Sequence, residues 1–368
     1  MYRLILIILI FISFTANGQE KELIDYFSRH SRILSLKSDI DFGFESSELN
    51  RNIFFAIGEV HRVPSNQIIK LQLLKYLHRY ANVRILVVES GSSDAFLLNR
   101  YLVTGDTSLI RRKSEVDFFW SRLKQFNDAN SEKIKVIGID FERNEAIRKT
   151  FDIIFKPNPP IPIENNILEL QNFFRSPGDI KERERLFKRT TELIKQNREY
   201  YKTYLADHFQ LFNSIIINPV PVTSKTKRDK YMVENFYRIS KKDTGDKYFG
   251  QFGISHTNRN YENLIGLLNS DNNSPINNKV MVIMPHYFNC QTTSDSGDQI
   301  LEIDDFGLLG QENIKVRQSI AEFFTNDIVL IDLRHLTDKY ENLQKSADHL
   351  ILIKNQKIEI ELKGGNIR

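Results

Sequence analysis

Cysteine and tryptophan are nearly absent: Cys290 and Trp120 are the only ones in 368 residues. A lone cysteine excludes an intramolecular disulfide and any zinc cluster built on thiolates, so the core must hold the fold unaided. Charge of one sign is also lacking. The 51 Lys and Arg stand against 47 Asp and Glu, a net charge of +4, and no basic tract of the kind that binds nucleic acid occurs. No Gly-x-Ser-x-Gly elbow, His-Glu-x-x-His helix, phosphate loop or Gly-x-Gly-x-x-Gly after a first strand is present, which sets aside serine hydrolases, zincins, kinases and dinucleotide enzymes. There is no internal repeat and no low-complexity tract.

What is present begins with Arg3, an apolar stretch from Leu4 to Phe14 broken only by Ser13, and the small residues Ala16 and Gly18 before Gln19. The stretch is shorter than the ~20 residues a bilayer-spanning helix needs, and the pattern predicts a cleavable secretory signal over residues 1–18. No cysteine near Gln19 offers a lipid-anchor route. The mature chain is expected to be exported, to the periplasm or outside the cell, with no stable membrane insertion after cleavage. Residues 19–368 are expected to form a single α/β domain.

Short apolar runs predict strands at Asn52–Ile57, Val83–Glu89, Ile134–Asp140, Lys247–Ile254, Val280–Met284 and Ile328–Leu333. Between the first two, Ile68, Ile69, Leu71, Leu74 and Leu77 fall at helical spacing, with Ser65 as the expected cap. A mainly parallel sheet flanked by helices follows from this βαβ rhythm. Four prolines between Pro157 and Pro162 interrupt it, and an inserted helical subdomain is expected over about residues 160–242. Its aromatics, Phe173, Phe174, Tyr200, Tyr201, Tyr204 and Phe209, either line an apolar pocket or form that subdomain's core. Near the end of the chain, the runs His349–Ile353 and Lys357–Leu362 read as a hairpin or paired edge strands.

Ionisable groups close these strands. Gly58-Glu59-Val60-His61 ends the first, Glu89 the second, Asp140 the third and His256 a later one, and His286 follows the run at Val280–Met284. A neutral imidazole can take a proton from water at neutral pH while a neighbouring carboxylate fixes its tautomer. His61 is thus the expected general base, with Glu59 and Glu89 orienting it and the water, and His256 polarising a carbonyl or protonating a leaving alkoxide. The same four groups, Glu59, His61, Glu89 and His256, are also a reasonable shell for a divalent metal. Asp140 either serves the site or caps the helix that follows it.

The order of motifs resembles the erythromycin esterase family, within a wider group that includes the haem-associated ChaN-like lipoproteins. Gly58-Glu59-Val60-His61 is similar to the group's opening block. Val87-Val88-Glu89 with Asp94-Ala95 and Asn99-Arg100-Tyr101, then Trp120, Phe126-Asn127 and Gly138-Ile139-Asp140, are similar to its next two. Arg228-Asp229-Lys230-Tyr231-Met232-Val233-Glu234-Asn235, His256 and Ala347-Asp348 continue the order. The resemblance implies hydrolysis of a small-molecule ester or lactone with no cofactor. It also implies that Arg228, otherwise a solvated helix pair with Asp229, faces the sheet and helps form the substrate-binding side, for which the strand-end groups Asp140 and His286 are further candidates. The ChaN-like branch, whose Glu-to-His spacing is closer to the one here, implies an alternative: a haem- or metal-binding envelope protein without turnover.

Overall fold

A computed structural model describes residues 21–36, 39–110, 114–218, 224–240, 245–293, 299–303, 320, 322–337 and 340–358. The expected signal lies outside them. Among the described residues no helix is long and apolar enough to cross a membrane. The strands are β1 (Ser31–Ile33), β2 (Phe54–Glu59), β3 (Val83–Val88), β4 (Lys135–Gly138), β5 (Lys247–Gly253), β6 (Val280–Phe288), β7 (Cys290–Thr293), β8 (Ile300–Ile303), β9 (Ile328–Asp332) and β10 (His349–Lys354).

Eight of them form one sheet in the order β1-β9-β10-β6-β2-β5-β3-β4. β10, β6 and β2 pair in parallel, as do β5, β3 and β4, while β9 is antiparallel to both β10 and β1. The sheet is mainly parallel and flanked by helices, the α/β fold expected from the sequence. Its central strands read as unbroken apolar runs because both faces are covered. β6 is buried at all nine positions and β3 at five of six.

The hairpin expected at the chain's end is corrected. β10 lies in the interior, between β9 and β6, because His349–Ile353 is buried on both faces and an edge would expose one of them. Residues 357 and 358 are not in a strand, and 359–362 lie outside the described residues. The first long helix runs Ser65–Tyr80, but Ser65 is its first helical residue and Pro64 holds the cap position with no side-chain cap bond.

The chain divides into two compact units, residues 1–81, 251–261 and 278–368 in one and 82–250 with 262–277 in the other. In the second unit, helices fill the chain from β4 to β5. After residues 21–29 (α1), Ser46–Arg51 (α2), Ser65–Tyr80 (α3), Ser92–Thr104 (α4) and Ser114–Ala129 (α5), these are α6 (Asn144–Ile154), α7 (Ile161–Arg175), α8 (Ile180–Gln196), α9 (Arg198–Leu205), α10 (Phe209–Ile217) and α11 (Lys225–Ser240). Leu186, Phe187, Thr190 and Ile194 give α8 one buried stripe at helical spacing. Phe173, Phe174, Tyr201, Tyr204 and Phe209 pack with Phe151 and Phe212 into that region's own core, and Tyr200 is half exposed. All but Tyr200 are core residues, and Phe173 also lines a surface pocket between α7 and α8 with Leu168, Leu186 and Arg189.

In the first unit the start of β10 is held by buried charge. The Asp348 carboxylate accepts from the Val282 amide at 2.8 Å and from Arg259 Nη1 at 2.7 Å. His349 Nε2 lies 2.7 Å from Glu48 Oε1, and Arg334 Nη1 lies 3.2 Å from Glu48 Oε2. Arg334 also grips Asp332 side-on, Nε to Oδ1 at 3.0 Å and Nη2 to Oδ2 at 2.6 Å. Burial raises the Asp332 carboxyl, but the hydrogen bonds from Arg334 outweigh it, so its pKa sits below the ordinary 3.8. A depressed carboxyl stabilises the fold fully above its unfolded pKa and loses that contribution as pH falls through the folded value. Urea midpoints measured from pH 6 to pH 2 should therefore fall below about pH 4, and Asp332→Asn should remove part of that fall.

Candidate functional site

β2 is apolar until Gly58-Glu59, and the chain then turns sharply, with Arg62 in the left-handed region at φ 68°. Four hydrogen bonds fix the turn. The Val60 amide donates to Tyr287 Oη at 3.1 Å, Tyr287 donates to Asn66 Oδ1 at 3.0 Å, Asn66 Nδ2 donates to the Val60 carbonyl at 2.7 Å, and Thr292 Oγ1 donates to the His61 carbonyl at 2.6 Å. These partners come from β6, α3 and β7, so the backbone carrying His61 is tied to three elements of the first unit.

His61 Nδ1 lies 2.7 Å from Glu59 Oε1; the His61 side chain is 61% exposed and that of Glu59 only 13%. With Nδ1–H donating to the carboxylate, the neutral ring keeps its lone pair on Nε2. That nitrogen points toward the end of β5: a Cβ added at Gly253 would meet His61 Nε2 at 3.3 Å and His256 Cδ2 at 3.6 Å. The missing side chain at Gly253 is what lets the two imidazoles approach. His256 closes the short 3-10 turn after β5 and is buried. The structure therefore brings together Glu59, His61 and His256.

His286 is a correction. The expected strand end at Met284 does not exist, since β6 continues through Pro285 to Phe288 and His286 lies inside it at 0% exposure. Its ring packs edge-on against Phe288 with centroids 5.7 Å apart. It is a buried histidine inside the strand, not at its end.

Glu89, Asp140 and Arg228 belong to the second unit and converge there. Arg228 Nη2 lies 3.2 Å from Glu89 Oε1, and Arg228 Nε lies 3.2 Å from both Asp140 oxygens, with Nη2 also on Asp140. The hydrogen bonds that Arg228 donates to Asp140 hold the guanidinium more firmly protonated than usual against burial. Arg228 thus joins two strand-end carboxylates instead of forming a solvated helix pair. Asp140 does not cap α6: the cap position is Arg143, without a side-chain cap bond. Among the described residues no three His, Cys, Asp or Glu side chains are grouped as a metal ion would require.

Several further residues hold these groups without belonging to any of the motifs. Tyr287 and Thr292 lie in strands with no polar pattern of their own, and their bonds to the Val60–His61 turn span more than two hundred residues. Glu142, two residues past Asp140, is buried beneath α4, accepting from the Ser92 amide at 2.7 Å, the Ser93 amide at 3.1 Å, the Ser93 hydroxyl and Asn218 Nδ2 at 3.2 Å. Burial pushes its carboxyl up against these donors. Its proximity to Asp140 in sequence was the available signal. Gly253→Ala should displace the His61 imidazole and leave the sheet intact, measured as altered ring-nitrogen shifts of His61 with unchanged strand amide resonances.

No family model and no curated protein matches the sequence. Solved structures do match. One described as a succinoglycan biosynthesis protein superposes with a TM-score of 0.66 at 16% identity, covering 92% of this chain and 97% of its own. A protein from Bacillus cereus gives 0.62 at 16% identity over 92% and 98%. The erythromycin esterase EreC, a mutant in its open conformation, gives 0.66 at 14% identity over 90% and 100%. Near-complete coverage of both chains at such low identity speaks to architecture. The chain has an erythromycin esterase-like fold.

Proposed function

We propose that the protein is a hydrolase of small-molecule esters or lactones in which His61 activates water. His61 Nε2 takes a proton from water as the water oxygen bonds to the acyl carbon. Glu59 stabilises the imidazolium at Nδ1. His256 donates to the carbonyl oxygen as charge develops on it. The imidazolium then returns its proton to the leaving alkoxide as the acyl carbon–oxygen bond breaks. Water supplies the hydroxyl of the acid and the alcohol leaves neutral, so the cycle needs no other reactant.

The observation that carries this reading is the 2.7 Å pair of an exposed imidazole with a shielded carboxylate. A structural histidine is normally buried with its partners, as His349 is, and a surface ion pair normally exposes both members. Here only the acceptor is shielded, and the ring presents Nε2 on the side of Gly253 and His256. The erythromycin esterase-like fold supports the same substrate class.

Against a panel of aryl esters and macrolactones, His61→Ala should lower kcat/KM by about 10²–10⁴-fold and Glu59→Gln by a smaller factor, with circular dichroism unchanged and no effect of chelator. An undiminished rate in His61→Ala would sink the general-base role, and loss of wild-type turnover in chelator would move the chemistry to a metal.

Export belongs to the same proposal and is supported by the pattern from Arg3 to Gln19. Amino-terminal sequencing of the protein recovered from its native cell envelope or medium should read Gln19 first; a start at Met1 would refute it.

A further inference from the structure

Three arginines of this chain use one edge of the guanidinium in the same way. Arg143 holds Asp94, Arg228 holds Asp140 and Arg334 holds Asp332, each through Nε and Nη2 side-on to the carboxylate. That edge is the planar fork that matches an oxyanion with two parallel hydrogen bonds.

Arg183 of α8 has the same edge and nothing on it. Its side chain is buried, at 5% exposure, yet neither Nε nor Nη2 has a hydrogen-bond partner among the described residues. Nη1 donates to Asn144 Oδ1 at 3.0 Å, and the guanidinium carbon lies 5.4 Å from the centre of the Phe187 ring. These contacts fix the plane of the group and leave Nε and Nη2 without an acceptor. Burial lowers the Arg183 pKa and the nearby Glu142 charge raises it, and a guanidinium remains charged at neutral pH.

Glu142 does not fill the fork. Both of its oxygens are occupied by Ser92, Ser93 and Asn218. Asn144, the contact of Nη1, is the first residue of the 11-residue helix α6, whose cap position carries no side-chain acceptor. The first amides of that helix and its dipole add positive potential beside the fork. A buried cation with two unsatisfied donors is costly, and an anion would remove that cost.

We propose that the Nε–Nη2 edge of Arg183 is a binding site for a small oxyanion, a carboxylate or a phosphate, held side-on at the N-terminal end of α6. The two nitrogens are sealed from solvent, which limits the ligand to a few heavy atoms and requires local loosening of α8 for entry. The site is independent of His61 and of ester turnover.

The test is thermal unfolding of the full chain in sodium acetate or sodium phosphate, each matched in ionic strength by sodium chloride. A saturable rise of Tm by about 2 °C or more over chloride is expected with at least one of them. The responding arm assigns the ligand as carboxylate or phosphate. Arg183→Met, which keeps the volume, should lose the response. Arg183→Lys, which keeps the charge without the fork, should need at least ten-fold more anion for the same rise. Wild-type Tm that follows ionic strength alone would overturn the proposal, as would an equal response in Arg183→Lys.

Discussion

The hydrogen bond from His61 to Glu59 depends on a turn that would not otherwise hold still. An exposed imidazole is free to rotate, and its carboxylate partner alone would not orient it. The backbone of Val60 and His61 is instead fastened by Tyr287, Asn66 and Thr292, and Arg62 accepts a left-handed φ to let the chain leave β2 at once. Each such bond contributes about 1 kcal/mol net. Together they hold the turn in one geometry, and the sheet that positions β6 and β2 side by side sets that geometry.

The division of the sequence into strands and helices was legible because burial on both faces demands apolar residues without interruption. β2, β3, β5 and β10 all follow such runs to within two residues. Where the reading failed, a physical reason is visible. Pro285 lacks an amide hydrogen and read as a strand end, yet β6 passes through it opposite Ile351 of β10. That one residue moved His286 from a strand end into the core. β1 has only three residues with two of them exposed, too little for any periodicity to register.

The ionisable groups divide along the same line. Glu59 and His61 are two residues apart, so their pairing could be read from one motif. Arg228 and Asp140 are 88 positions apart, and their contact was anticipated only through a resemblance in motif order. Tyr287, Thr292 and Glu142 could not be placed, because their partners are decided by register and helix docking. The structural likeness to EreC at 14% identity reflects the same asymmetry. An apolar pattern can be kept with almost any hydrophobic residues of fitting size, so the fold persists where the sequence does not.

The scarcity of two residue types has a practical consequence. Cys290, the sole cysteine, is fully buried in the first unit, its sulfur near the carbonyls of Phe288 and Ile353. Trp120, the sole tryptophan, is buried in the second. Each unit therefore carries a single intrinsic reporter, a thiol that reacts with a probe only when its strand opens and an indole whose emission shifts only when its helix is wetted. Following both in one denaturant jump would time the opening of each unit separately, without adding a label.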